Sequence, residues 1–190
     1  MVITGATGAI GSYLIQQFGA MAWDPRTDSG VNTAALVNCM GVNHDSLFHE
    51  SDPIDWNNVI HVNLIDTLDT IRAVLPYMRK EKYGRIINIS SMLSDWAVQG
   101  TSAYTASKAG LNAAIRVIAK ENAKYNILIN NINLGYIDIG MTHKIKNRET
   151  LEKNIPLGFG HPSEITKAVN FLLYTKYITG TTININGGLW

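Results

Sequence analysis

Tyr104 and Lys108 stand four residues apart in the stretch YTASK, at the start of an Ala-rich helical segment. Positions i and i+4 of a helix lie on one face, so a phenol and an ammonium would point the same way. A free phenol has a pKa of about 10, too weak an acid to suit neutral pH. A neighbouring cation favours phenolate and lowers that value. The pair therefore reads as a proton donor and acceptor, with Tyr104 as acid or base and Lys108 as its tuner. A hydroxyl stands thirteen residues upstream, at Ser91. It lies just beyond an apolar strand, RIINIS (85–90), where a side chain would be displayed at a sheet edge and could hold an oxyanion. Ser90 is the competing hydroxyl.

A second constellation opens the chain. TGATGAIG (Thr4–Gly11) has glycines at 5, 8 and 11, after a short strand and before a helical run. Glycines let a backbone turn tightly and approach a pyrophosphate. The amides of the helix start then face the phosphates, aided by the helix dipole. Gly5, Thr7, Gly8, Ala9, Ile10 and Gly11 are the candidate cofactor contacts there. No Lys-Ser or Lys-Thr follows, so the loop is not an ATP P-loop.

The elements that must position these groups alternate. Strands are expected at Val2-Ile3, 34–37, 85–90, 127–134 and 181–186. Helices are expected at 12–18, 54–80, 102–124 and 162–174, with Gly84 ending the second. The stretch 20–32, holding Pro25 and Gly30, reads as irregular. Apolar strands separated by amphipathic helices predict a parallel sheet covered on both faces, a doubly wound Rossmann-type α/β domain spanning 1–190.

Composition narrows the classes. The chain has 190 residues and a net charge of +1, with no footprint for nucleic acid. The basic cluster Arg79, Lys80, Lys82 and Arg85 reads as a solvated helix end. Cys39, the single cysteine, excludes an internal disulfide and reads as a buried inert thiol. No apolar run approaches the roughly 20 residues of a membrane span. A strand at Met1-Val2-Ile3 leaves no room for a signal peptide, so the expected location is cytoplasmic. Asn88-Ile89-Ser90 fits a glycosylation triplet but lies in an apolar strand. The five histidines show no metal-ligand spacing, and no metal is expected.

Taken together, TGATGAIG (4–11), NCMG (38–41), Ser91 with YTASK, and LGYID (134–138) resemble the short-chain dehydrogenase/reductase family, in particular its 3-oxoacyl-acyl-carrier-protein reductase-like members. Gly187-Gly188 after the last strand fits as well. The resemblance implies NAD or NADP as cofactor and hydride transfer between a carbonyl and a secondary alcohol. It implies Tyr104 as general acid and base, and its spacing selects Ser91 over Ser90 as the hydroxyl on the substrate oxygen. Lys108 would also bind the nicotinamide ribose, and Asn63 would hold a water relaying protons to Lys108. Asn38 and Gly41 would border the adenosine ribose and pyrophosphate, and Gly135 and Ile137 the carboxamide. Tyr136 and Met141 are candidates for the substrate pocket. The family's dimer-forming helices correspond to 54–80 and 102–124, which implies a homo-oligomer, a dimer or tetramer.

The chain departs from that pattern in several places. Ala9 stands where that branch has its second glycine, and Gly5-Gly8-Gly11 is closer to sugar-nucleotide epimerases. NCMG replaces NNAG, and Leu134 replaces a proline. Only some 26 residues separate Gly11 from Asn38, too few for two complete strand–helix crossovers. Asp24 and Arg26 both fall there; Asp24 is the candidate ribose contact and would favour NAD, while Arg26 would favour NADP. The segment THKIKNRETLEK (142–153) carries basic residues that could meet a phosphate or carrier protein or form a solvated helix. Alternatives are an epimerase- or dehydratase-like enzyme and a cofactor-binding regulatory protein with little turnover.

Overall fold

Six apolar runs pair into one parallel sheet in the order β2-β1-β3-β4-β5-β6. The computed structural model describes residues 1–28 and 30–189. The strands are β1 (Val2–Thr4), β2 (Met21–Ala22), β3 (Ala35–Asn38), β4 (Gly84–Ser91), β5 (Ile127–Leu134) and β6 (Thr182–Ile185). The helices are α1 (Ala9–Phe18), α2 (Pro53–Ile60), α3 (Thr67–Glu81), α4 (Ser102–Asn122), α5 (Arg148–Lys153) and α6 (Ser163–Tyr174).

Alternation along each strand sends side chains to two faces. Val2, Leu36, Ile86 and Ile129 form one row by register. They pack under Ile71, Val74 and Met78 of α3 and Leu111, Ile115 and Ala119 of α4. Ile3, Val37 and Ile87 form the opposite row and meet Leu14 of α1 and Ile165, Val169 and Leu172 of α6. Helices on both faces make this the expected doubly wound domain. The chain order reverses between β1 and β3, which opens a crevice beyond the carboxyl ends of the strands.

One row of the sheet is polar. Thr4, Asn38, Asn88 and Asn131 stand in register across four strands. Thr4 Oγ1 donates to Asn38 Oδ1 (3.0 Å), Asn38 Nδ2 to Asn88 Oδ1 (2.8 Å), and Asn88 Nδ2 to Asn131 Oδ1 (3.0 Å). Each amide passes its donor to the next acceptor, so a buried polar row is satisfied without water. The glycosylation triplet at Asn88 is thus a sheet amide in the core.

Three boundaries differ from the sequence reading. Residues 54–80 are not one helix: α2 and α3 are joined by a π-helical segment, His61–Asp66. The exit is at Lys82, which takes the left-handed conformation (φ 51); Gly84 starts β4. Residues 20–32 are not wholly irregular, because β2 pairs with β1 there. From β2 the chain returns to β3 with no helix among the described residues, and Trp23 and Val31 of that stretch pack onto the α3/α4 side of the core.

The amide row predicts a specific weakness. Asn88→Ala leaves Asn38 Nδ2 and Asn131 Oδ1 buried without partners, which should cost about 2–6 kcal/mol at about 1–3 per orphaned group. Urea unfolding measures it, and a loss under about 1 kcal/mol would show that the row is not a structural element.

Candidate active site

The crevice holds a cavity of about 530 Å³. Thr7, Gly8, Ala9 and Ile10 line one end, Ser90, Ser91, Tyr104 and Lys108 the middle, and Leu134, Gly135, Ile137, Ile139, Gly140, Met141 and Thr142 the far wall. Cys39, Met40, Gly41 and Ile89 close the floor. A smaller cavity of about 170 Å³ adjoins the glycine turn, lined by Gly5, Ala6, Thr7, Trp23, Asp24, Arg26 and Asp28 among others.

The turn after β1 explains two of its glycines by crowding. Gly5 sits at φ +66, and a Cβ there would lie 2.6 Å from the Cys39 carbonyl carbon. A Cβ on Gly11 would collide with the Gly5 carbonyl. Gly11 therefore lets α1 close onto the turn and lines neither cavity; it packs rather than binds. Gly8 stands in extended conformation just before α1, in the cavity wall.

Ser91 ends β4, and its Oγ accepts from Leu93 N (3.2 Å) in the short 3-10 turn Met92–Ser94. Tyr104 and Lys108 share one face of α4, with the Lys108 Nζ 5.7 Å from the Tyr104 ring centre. The Ser91 hydroxyl lies near enough to the Tyr104 phenol to favour its ionised form. The three side chains expected to act together do converge.

Their electrostatics correct the expectation that Lys108 lowers the phenol pKa. Burial pushes Tyr104 above its ordinary value, the nearby Ser91 hydroxyl opposes that rise, and Asp45 in the loop after β3 adds to it. Lys108 is only 3% exposed and donates to the Ile89 carbonyl at 3.0 Å. Burial lowers its own pKa to about 8. A buried ammonium with one acceptor is a strained charge, and loss of solvent outweighs mutual tuning along the helix.

Asn63 lies in the π-helical segment beneath this group, fully buried. Its Oδ1 accepts from Val42 N (2.8 Å), and its Nδ2 donates to the Val42 carbonyl (2.9 Å) and Ser107 Oγ (3.1 Å). The amide is committed to fastening the loop after β3, and it does not line the cavity. Asn38 also departs from its expected place: its side chain is in the amide row, while Gly41 does reach the cavity. Cys39 lines the floor, and burial pushes its thiol up to about 12, which keeps it the inert thiol expected. Met141 lines the cavity; Tyr136 instead meets Phe159 edge to face. In the basic segment, Arg148 and His143 both bind Asp138 (2.6 and 2.8 Å), so Arg148 is spent within the protein.

Asp24 lies at the end of β2 in the smaller cavity. Arg26 grips it through Nε (2.9 Å) and Nη2 (2.7 Å), and that hydrogen bonding lowers the carboxyl to about 2. Ile139, Gly140, Thr142 and Met40 were not anticipated; nothing in their types marks them, since backbone course alone brings them to the wall. Among the described residues no group of three or more His, Cys, Asp or Glu could hold a metal, and no helix is long and apolar enough to cross a membrane.

A family model described as Enoyl-(Acyl carrier protein) reductase matches residues 26–190. The chain is 40% identical to 3-oxoacyl-acyl-carrier-protein reductase of Thermotoga maritima over 159 residues, 81% of this chain and 65% of that protein. It belongs to the short-chain dehydrogenase/reductase family. A Bos taurus 3-oxoacyl-acyl-carrier-protein reductase is likewise 40% identical over 155 residues, and the match spans 65% of its length. The crystal structure of a 3-oxoacyl-acyl carrier protein reductase from Brucella melitensis superposes with a TM-score of 0.87 at 23% identity, covering 99% of this chain and 90% of that one. That likeness concerns the fold alone. Between α1 and β3 the described residues hold one strand, the two-residue β2.

The nicotinamide dinucleotide such a family implies meets suitable groups. The Ser90 hydroxyl is buried without a partner, lines the cavity, and stands beside an ammonium with donors to spare.

Lys108 predicts a pH signature. Its folded pKa of about 8 lies below its ordinary 10.5. Below pH 8 both states carry the charge, and the burial cost is fully present. Between 8 and 10.5 the unfolded chain binds the extra proton, so stability rises with pH; above 10.5 the cost is gone. The gap corresponds to about 3 kcal/mol. Lys108→Met should be more stable than the parent at pH 7 in urea unfolding, with the difference shrinking from pH 8 to 10.5. A difference independent of pH would contradict a buried charged Lys108.

Proposed function

We propose that the chain is an NAD(P)-dependent oxidoreductase that interconverts a carbonyl and a secondary alcohol. The observation that carries this is the convergence of Ser91, Tyr104 and Lys108 in the wall of the crevice beside the glycine turn. The bound cofactor supplies or accepts the hydride. Tyr104 gives a proton to the substrate oxygen in reduction and takes it back in oxidation. Ser91 donates to the same oxygen, holding charge as it develops. Lys108 and Ser90 offer donors to ribose hydroxyls. Thr7, Gly8, Ala9 and Ile10 approach the pyrophosphate at the start of α1, and Gly135 and Ile137 border the carboxamide. The relatives' names make a 3-oxoacyl thioester the first substrate to test.

NAD is the proposed form. Asp24, ionised and facing the smaller cavity with Asp28 beside it, suits a ribose diol and repels a further phosphate. A second reading, a cofactor-binding protein with little turnover, draws on the brevity of the α1–β3 interval and the small size of that cavity. The exposed Ile54, Ile65 and Val117 on α2, the π-helical segment and α4 support a homo-oligomer, a dimer or tetramer.

Tyr104→Phe should lower turnover of NADH with a 3-oxoacyl thioester or ketone panel by about 10²–10⁴-fold, with cofactor affinity in fluorescence titration unchanged. Unchanged turnover would remove Tyr104 from the reaction. An inactive parent that still binds NADH would favour the second reading. NADH should bind more tightly than NADPH, and Asp24→Ser should narrow the gap by about tenfold; tighter NADPH binding by the parent would overturn the cofactor choice.

A further inference from the structure

Tyr104, Lys108 and Asn112 stand at i, i+4 and i+8 of α4, on one face. Asn112 is 5% exposed and lies about 12 Å along the axis from Tyr104, too far to touch a reacting atom. Its amide is nonetheless fully used. Nδ2 donates to Ser94 Oγ (2.9 Å) and Asn133 Oδ1 (3.0 Å), and Oδ1 accepts from Asn131 Nδ2 (3.0 Å). Asn133 Nδ2 donates in turn to Ser94 Oγ (3.0 Å) and Asp95 Oδ2 (3.1 Å), and Ser94 Oγ donates to Asp95 Oδ2 (3.1 Å).

Ser94 and Asp95 follow directly on the turn that begins at Ser91. From Asp95 to Gln99 the chain is exposed. Burial of Met92 with Ile155 and Leu189 holds one side of that turn; polar groups must hold it against α4. The amides of Asn112 and Asn133 do so, and through Asn131 they join the row that crosses the sheet. The helix carrying the phenol and the turn whose Leu93 amide binds the facing Ser91 hydroxyl are thereby locked to one polar cluster.

We propose that Asn112 and Asn133 are positioning residues: with Ser94 and Asp95 they set the contact between Ser91 and Tyr104 for the reaction read above, on which this inference rests. An apolar residue at 112 would fill the space but release the turn from the helix. The groups that bear on Tyr104 are Ser91 from the end of β4, Asp45 from the loop after β3, and Lys108 on its own helix. Only Ser91 adjoins the turn: it ends β4, and its Oγ accepts from Leu93 N within the turn. Releasing the turn therefore removes the contact that favours phenolate, while Asp45 and Lys108 stay in place.

The test reads Tyr104 directly, without needing turnover. Phenolate absorbance is titrated in the parent, and the same curve for Tyr104→Phe is subtracted. Asn112→Leu and Asn133→Leu should move the Tyr104 midpoint to higher pH, as Ser91→Ala does. Asn130→Leu is the matched control: its amide binds Ile178 and Thr181, away from the cluster, so it should lose stability and leave the midpoint alone. With an active parent, Asn112→Leu should also lower kcat by about 10–100-fold, as a misplaced group does, with substrate KM and NADH affinity within about twofold. An unmoved midpoint in Asn112→Leu, or the same movement in Asn130→Leu, overturns the positioning role. A moved midpoint in a parent without carbonyl turnover keeps the geometry and overturns the enzyme reading instead.

Discussion

The polar face of α4 has to be buried against a parallel sheet. A phenol, an ammonium and an amide follow one another down that face, and an apolar sheet would leave them stranded. The sheet answers with a row of amides in register and with the open carbonyl of Ile89. Burial then governs the chemistry. It raises Tyr104 and lowers Lys108 together, so each group leans toward its neutral form. A protonated phenol is the form that can donate, and the ammonium gains most from any ligand that supplies acceptors to it.

The cofactor side follows from backbone crowding rather than charge. Gly5 passes against the chain after β3, and α1 closes over Gly5 because Gly11 has no side chain. This leaves Thr7, Gly8, Ala9 and Ile10 lining the crevice. Beyond β2 no helix among the described residues covers the sheet on the return to β3, and Trp23 takes up part of that space with its indole nitrogen unpaired. The crevice is thus well built around Ser91, Tyr104 and Lys108 and slight beyond the glycine turn, where Asp24 and Arg26 hold each other.

Much of this was legible from residue order, and the rest failed for identifiable reasons. β5 falls at 127–134 as read, because a buried parallel strand is an unbroken apolar-rich run bounded by turn residues. β2 was invisible: Met21 and Ala22 are exposed, and only pairing with β1 makes them a strand. The π-helical segment hid because apolar positions at mixed three and four spacing read as one helix. At the site, Ser91, Tyr104 and Lys108 were found by type and spacing. The direction of the Tyr104 shift was not, because spacing reports proximity and not desolvation. Asn112, Asn131 and Asn133 look like tolerated polar residues in a sequence; only register shows that they share one cluster.

The central claim is that Ser91 and Tyr104 hold one substrate oxygen between them. A crystal structure of the chain with NADH and an unreactive carbonyl analogue tests it most directly. The account predicts the ligand oxygen within about 2.6–3.2 Å of both Ser91 Oγ and Tyr104 Oη. An oxygen held by other groups, with Tyr104 turned from the cavity, would contradict it.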